Sequence, residues 1–300
     1  MSYLGELAAI GTSICFSIGP AFFTLAGKDV GSIVVNRSRL VVAVVYLSVL
    51  HWFFYGSLFP IAPGGQRWLW FGLSGVIGLT LGDAGLFQAF VMIGPRLTML
   101  VFATSPVIGA LLGWAFLGEV LSLWQIIGIV ITLLGVSWVV LGQENEVQKS
   151  MSRRDYAMGI LFAVVGAVGQ AVGLFTAKVG LEGDYPALSG QMLRMFSAMV
   201  VIWIWTFFVR QGKDTFQKLE QHPAAVKNIL LASFIGPTLG VWFSLVSVQH
   251  TDLGIASTLQ SLQPIFLIPI GYFFFHEKVT WQSVAGTLVA LAGVAILFLV

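Results

Sequence analysis

The chain has 300 residues, of which 57% are hydrophobic and only 9% charged, and its mean hydropathy is +0.92. Soluble domains carry about 25% charged residues, so most of this surface must face lipid rather than water. The net charge of +2 gives no basis for nucleic-acid binding, and a single cysteine, Cys15, excludes a disulfide framework and a cysteine-based metal site.

Crossing about 30 Å of hydrocarbon takes about 20 residues of helix at 1.5 Å per residue. Ten apolar runs of that length follow in order: 4–26, 32–55, 68–90, 95–117, 122–141, 156–178, 187–210, 227–248, 253–275 and 280–300. The first lacks a basic lead and carries Glu6 where a secretory signal would want Lys or Arg, so it reads as a permanent span. Connections such as GKDVG (27–31), IGPR (93–96) and GEVLS (118–122) are short enough to make consecutive helices antiparallel neighbours. Two connections are long and polar, 143–155 and 210–227. The first divides the chain into five spans (1–142) and five more (156–300), so the expected fold class is an all-α integral membrane protein of ten transmembrane helices with no soluble domain.

The halves repeat. Shifted by 158 positions, GLTLG (78–82) falls on GPTLG (236–240), Pro106 on Pro264, Gly113 on Gly271, Glu119 on Glu277, Gly128 on Gly286 and GV (135–136) on GV (293–294). At a shift of 155, Arg39 matches Arg194. The matches are weighted toward residues that set backbone shape or charge. Five helices per half invert the second half relative to the first, which is the repeat logic of secondary transporters with a site between the halves.

Two five-helix halves, an arginine early in the second helix of each, and a proline-bearing helix closing on GE or HE before a glycine-spaced helix resemble the EamA-type family of the drug/metabolite transporter superfamily. The resemblance covers essentially the whole chain. It implies ten helices as two inverted five-helix repeats around a central cavity, and passage of small metabolites such as amino acids. It also implies both termini in the cytoplasm. The charges point the other way: Arg67 and Lys178 lie on the side of the N-terminus, whereas Lys28, Arg96, Lys149, Arg153, Arg154, Arg210, Lys213, Lys218, Lys227 and Lys278 lie opposite. The positive-inside rule puts that second side in the cytoplasm and both termini outside.

An ionisable group within a span costs about 2.5–3.5 kcal/mol on insertion scales and so requires a partner or a wet cavity. Arg39 and Asp83 fall at one depth on the second and third spans, which makes an ion pair feasible. The pair either locks the two helices or makes Asp83 a proton-coupling carboxylate. Arg194 has Val241 where symmetry would place its carboxylate. Gln191, Thr238, Trp242 and Gln260 fall near its depth, a set suited to a substrate with an anionic group; the alternative for Arg194 is to snorkel to the interface. Asn36 is a further cavity residue, and Arg37 reads as an interface anchor. Glu119 and Glu277, with Pro106 and Pro264 before them, emerge on opposite membrane faces and read as structural helix ends, with Ser122 and Thr280 as caps of the next helices. WFFY (52–55), WLWF (68–71) and YFFF (272–275) read as interfacial belts.

The functional expectation is a gradient-driven carrier in the cell membrane of a prokaryote, working by alternating access on a small-molecule substrate, with protons as coupling ion and the bilayer as its surroundings, as a monomer or homodimer. No cofactor or metal is expected: HEKVT (276–280) has Thr280 where a zinc protease helix needs its second histidine, and no phosphate-binding G-x-x-x-x-G-K-[ST] is present. A membrane-embedded transferase or a non-transporting scaffold are the alternatives.

Overall fold

The computed structural model describes residues 3–61, 63–116, 122–147, 151–183, 185–250, 259–260, 262–275 and 279–299, and among these all regular structure is helical. The long helices are α1 (Leu4–Val30), α2 (Ser32–Tyr55), α3 (Gly65–Ile93), α4 (Pro95–Phe116), α5 (Leu123–Val147), α6 (Arg153–Gly180), α7 (Ala187–Phe208), α8 (223–250), α9 (Gln263–Phe275) and α10 (Trp281–Leu299). Seven of them are long and apolar enough to cross a membrane: α1 to α4, α6, α7 and the Pro223–Ser244 part of α8. α5 and α10 contain shorter apolar stretches, Leu123–Val139 and Trp281–Ile296.

Local sequence explains the joints. Gly31 alone separates α1 from α2, at a φ of 89° that a side chain would oppose. α5 opens on a reciprocal capping box in which Gln125 N donates to Ser122 Oγ (3.2 Å) and Ser122 N donates to Gln125 Oε1 (2.9 Å). Ser283 N donates to Thr280 Oγ1 (3.2 Å) ahead of α10. α4 is interrupted at Ala103 and Thr104, just before Pro106, and α9 begins at Gln263 after a turn at Leu262, just before Pro264. Proline has no N–H to donate to a preceding turn and is tolerated in the first turn of a helix, so each segment restarts one residue before its duplicated proline. Glu119 and Glu277 lie outside the described residues.

The polar segment 210–227 is not simply a loop. Gly212–Gln221 forms a short helix with Thr215 buried, Phe216 exposed and an Asp214–Lys218 ion pair of 3.1 Å along its surface. Proline at the first position then starts α8 at Pro223, ahead of the expected 227.

Packing pairs helices from opposite halves. α1 lies along α8, α6 along α3, α2 against α7 and α5 against α10. In lipid such contacts rest on close backbone approach rather than on water exclusion. Gly135 abuts Ala290 and Gly286, and Gly293 abuts Thr132 and Gly128, so the glycines repeated between the halves are also the α5–α10 contact. Between α2 and α7 the seam is Leu40, Ala43 and Leu47 with Met192, Met195, Ala198 and Ile202.

Trp52, Phe53, Phe54, Tyr55, Tyr272 and Phe273 are exposed, as interfacial belts would be. Phe71 departs from that reading. It is buried against Gly180, Gly190 and Tyr185, because the turn before α7 folds over it.

Candidate functional site

The site grows from two wide turns. Gly75–Gly82 (GVIGLTLG) in α3 and Phe234–Gly240 (FIGPTLG) in α8 are wound as π-helix, at the duplicated GLTLG and GPTLG. A π-turn inserts a residue into the helix and releases carbonyls from the regular ladder, and such turns favour functional sites. Pro237 removes an N–H that the α-ladder would need. The released carbonyls take side-chain donors from neighbours. Arg39 Nη2 donates to Leu79 O (3.3 Å), Asn36 Nδ2 to Thr80 O (3.3 Å), and, on the other turn, Thr12 Oγ1 to Gly240 O (3.3 Å).

Asp83 immediately follows the first π-turn and forms a buried ion pair with Arg39 of α2. Arg39 Nε also donates to Asn36 Oδ1 (3.1 Å), and its Cζ sits 4.9 Å from the centroid of the Phe87 ring. Arg39 is thus held by a carboxylate, an amide, a carbonyl and an aromatic face.

Arg194 of α7 is buried as well, not snorkelled to an interface. Its Nη1 donates to Gln191 Oε1 (3.2 Å), its Nη2 lies beside Gly78 of the π-turn, and its buried Nε has no hydrogen-bond partner among the described residues. It sits within electrostatic reach of Asp83. The carboxylate that acts on Arg194 therefore comes from α3 of the first half, although the symmetry-related position on α8 is Val241. Thr80 Oγ1 donates to Ala198 O (3.3 Å) and ties the same π-turn to α7.

The structure brings Arg39, Asp83 and Asn36 together, joins Arg194 to Gln191, and lets the two groups meet at Asp83. The remaining expected cavity residues have partners of their own. Thr238 Oγ1 donates to Ser233 O (2.9 Å), Gln260 Oε1 accepts from Ser244 Oγ (2.9 Å), and Trp242 lies against Phe54 and Phe243. None of these three hydrogen-bonds Arg194 among the described residues. Pro106 and Pro264 mark the interruptions of α4 and α9 described above.

A family model described as the EamA-like transporter family matches the chain twice, over residues 3–141 and again over 157–299. The chain belongs to the EamA-like transporter family. It is accordingly a multi-pass membrane transporter of the drug/metabolite superfamily. The chain is 26% identical over 233 residues to a Bacillus subtilis protein named uncharacterized transporter YvbV, covering 76% of this chain and 67% of that one. It is 20% identical over 294 residues to an uncharacterized transporter of Archaeoglobus fulgidus, covering 98% and 97%. A solved crystal structure matches its fold with a TM-score of 0.61 at 14% identity, over 100% of this chain and 98% of that one.

Two polar residues of this family member have places that sequence reasoning missed. Arg37, expected at an interface, is buried and donates to Thr215 Oγ1 (2.9 Å) and Gln211 Oε1 (2.7 Å), docking the short helix onto α2. At the other end of α2, His51 Nδ1 meets Ser57 O (2.7 Å) and Nε2 meets Ser189 Oγ (3.0 Å). A carbonyl only accepts, so Nδ1 carries the hydrogen and the ring bridges α2 to the start of α7. The available signal was that both are polar residues within a largely apolar span, each needing a partner.

Proposed function

We propose that the chain is a gradient-driven carrier of small metabolites that carry an anionic group, zwitterionic amino acids included, in the cell membrane of a prokaryote. It works by alternating access between two inverted five-helix halves, 1–142 and 156–300, of a ten-helix fold. Three observations support the repeat: the family model matches each half, the two π-turns fall at duplicated motifs, and the α1–α8 contact has its counterpart in α6–α3. Exchanging the halves turns one contact into the other.

The observation that carries the substrate class is Arg194. Asp83 is already paired with Arg39, so among the described residues two guanidinium groups share one carboxylate and the buried cluster has a net charge of +1. A buried unbalanced charge is costly. The unpartnered Nε–H of Arg194 adds an unused donor. A carboxylate or similar group satisfies both, since guanidinium binds such anions through paired hydrogen bonds. Gln191 orients Arg194, while Thr238, Trp242 and Gln260 supply the wall that faces the solute as the halves rock. Asp83 is the group able to carry a proton.

The test is flux of radiolabelled amino acids and carboxylates into proteoliposomes under an imposed proton or solute gradient. Gradient-dependent movement of an unmodified solute is expected, lost in Arg194→Gln for solutes with an anionic group. Chemical turnover of the solute, or flux indifferent to Arg194→Gln, overturns the reading.

A further inference from the structure

We infer that Asp83 and Arg194 form one combined site in which a proton and the solute's anionic group bind cooperatively, so that any proton carried there travels with the anion and not against it. This rests on the carrier reading above and adds the sign of its coupling.

A carboxylate that itself receives a cationic cargo binds proton or cargo in competition, and competition at one site produces exchange. The arrangement here differs. The receptor for the cargo is a guanidinium, Arg194, and the carboxylate is its neighbour. An anion beside Arg194 is repelled by ionised Asp83, and a proton on Asp83 removes that repulsion. Conversely, the anion offsets the excess positive charge that protonation would leave on Arg39 and Arg194. Opposite charges at adjacent sites attract whatever the local dielectric, so the coupling has one sign, and linkage makes it reciprocal.

Among the described residues, the charged groups acting on Asp83 are Arg39 from α2 and Arg194 from α7. From α6, Gly169 packs on Gly82 and Gly166 on Leu86, and from α1 Phe23 packs on Phe87. None of these titrates. The π-turn carbonyls of Leu79 and Thr80 take their donors from α2, and among the described residues the Nε–H of Arg194 has no acceptor and is open to the solute.

The probes are lactate and methanesulfonate, both monoanions from about pH 5.5 to about pH 8, with binding to the purified protein in nanodiscs read by calorimetry. Affinity is expected to rise as pH falls, by up to about tenfold per pH unit where Asp83 takes its proton. Asp83→Asn, which mimics the protonated state, is expected to bind both probes as tightly at about pH 8 as the wild type does at about pH 5.5. If Asp83→Asn does not fold, the number of protons taken up by the wild type on binding, obtained from calorimetry in buffers of different ionisation enthalpy, decides alone: uptake supports the inference. Proton release, affinity that rises with pH, or no pH dependence overturns it. Should solutes still move across proteoliposomes in that case, the carrier reading stands while the coupling falls; absence of both binding and flux removes both.

Discussion

Gly169→Ala tests whether the π-turn is held by direct backbone contact with α6. A Cβ at Gly169 would lie 2.5 Å from Gly82 Cα and 3.1 Å from both Gly82 N and Ile77 O. Carbon atoms in contact settle at about 3.5–4.0 Å, so α6 and α3 must part by about 1 Å where α3 carries its π-turn. Every obstructing atom is backbone, so no rotamer change relieves the clash. Overpacking of this kind costs about 1–3 kcal/mol, while replacing a helical glycine by alanine returns about 0.5–1 kcal/mol. At the middle of both ranges the clash wins, and the net loss is about 1 kcal/mol, roughly fivefold in the folded-to-unfolded ratio. Gly109→Ala is the control, because a Cβ at Gly109 meets nothing within 4 Å and only the helix gain remains. Reversible unfolding in mixed micelles, followed by tryptophan fluorescence, measures both. Gly169→Ala should also weaken anion binding, since Gly78 and Gly82 position the turn between Arg194 and Asp83. A Gly169→Ala protein as stable as Gly109→Ala would refute the backbone-contact argument.

Arg37→Ala strands the Gln211 and Thr215 side chains, and at about 1.5–3 kcal/mol per hydrogen bond to a charged group the short helix should detach; faster tryptic cleavage at Lys213 and Lys218 reports it, and an unchanged rate argues against docking by Arg37. Burial pushes the Tyr185 phenol above its ordinary value of 10.0, with the Arg67 guanidinium, 4.2 Å from the ring, pulling the other way. The unfolded phenol therefore loses its proton first, so the contribution of Tyr185 to stability is present below about pH 10 and lost as pH climbs through the folded value. Ultraviolet titration should show a late-titrating phenol that moves later still in Arg67→Ala and is missing in Tyr185→Phe. For orientation, the positive-inside count predicts that alkaline phosphatase fused after residue 300 is active and that a cytoplasm-dependent fluorescent protein at the same point is dark; the reverse pattern reverses the assignment.

Helix positions were legible because hydropathy over about 20 residues is a bulk property that survives any rotation of the helix. The duplicated glycines could be picked out because glycine is tied to backbone shape and close approach, and α5–α10 packs through the very glycines that recur in the sequence. The meeting of Arg39 with Asp83 could be anticipated from depth alone, since a charge in lipid must find its opposite. Faces were not legible. In a soluble helix the apolar stripe says which way is in, but here lipid-facing and buried sides are equally apolar, as Phe71 (buried) and Phe53 (exposed) show. Arg37 and Arg39 are two residues apart on one helix, and the choice between interface and interior could not be made for Arg37 from its neighbours.

The placement of Arg194 was hidden for a further reason. Depth and facing were reckoned along a regular α-helix, where each residue turns the chain by about 100°. The π-turn over Gly75–Gly82 contributes an extra residue to α3 just before Asp83. That residue re-aims everything after it relative to everything before. With it, Gly78 lies beside the Arg194 guanidinium while Asp83, close after, faces Arg39. A straight α-helix through the same segment would turn Asp83 by about 100° relative to Gly78, and α3 could not present its carboxylate to α2 while also acting on α7. The two-arginine cluster, and with it the proposed receptor for an anion, is thus a product of the irregular turn, and the glycines that permit that turn are as much a part of the site as the charges it gathers.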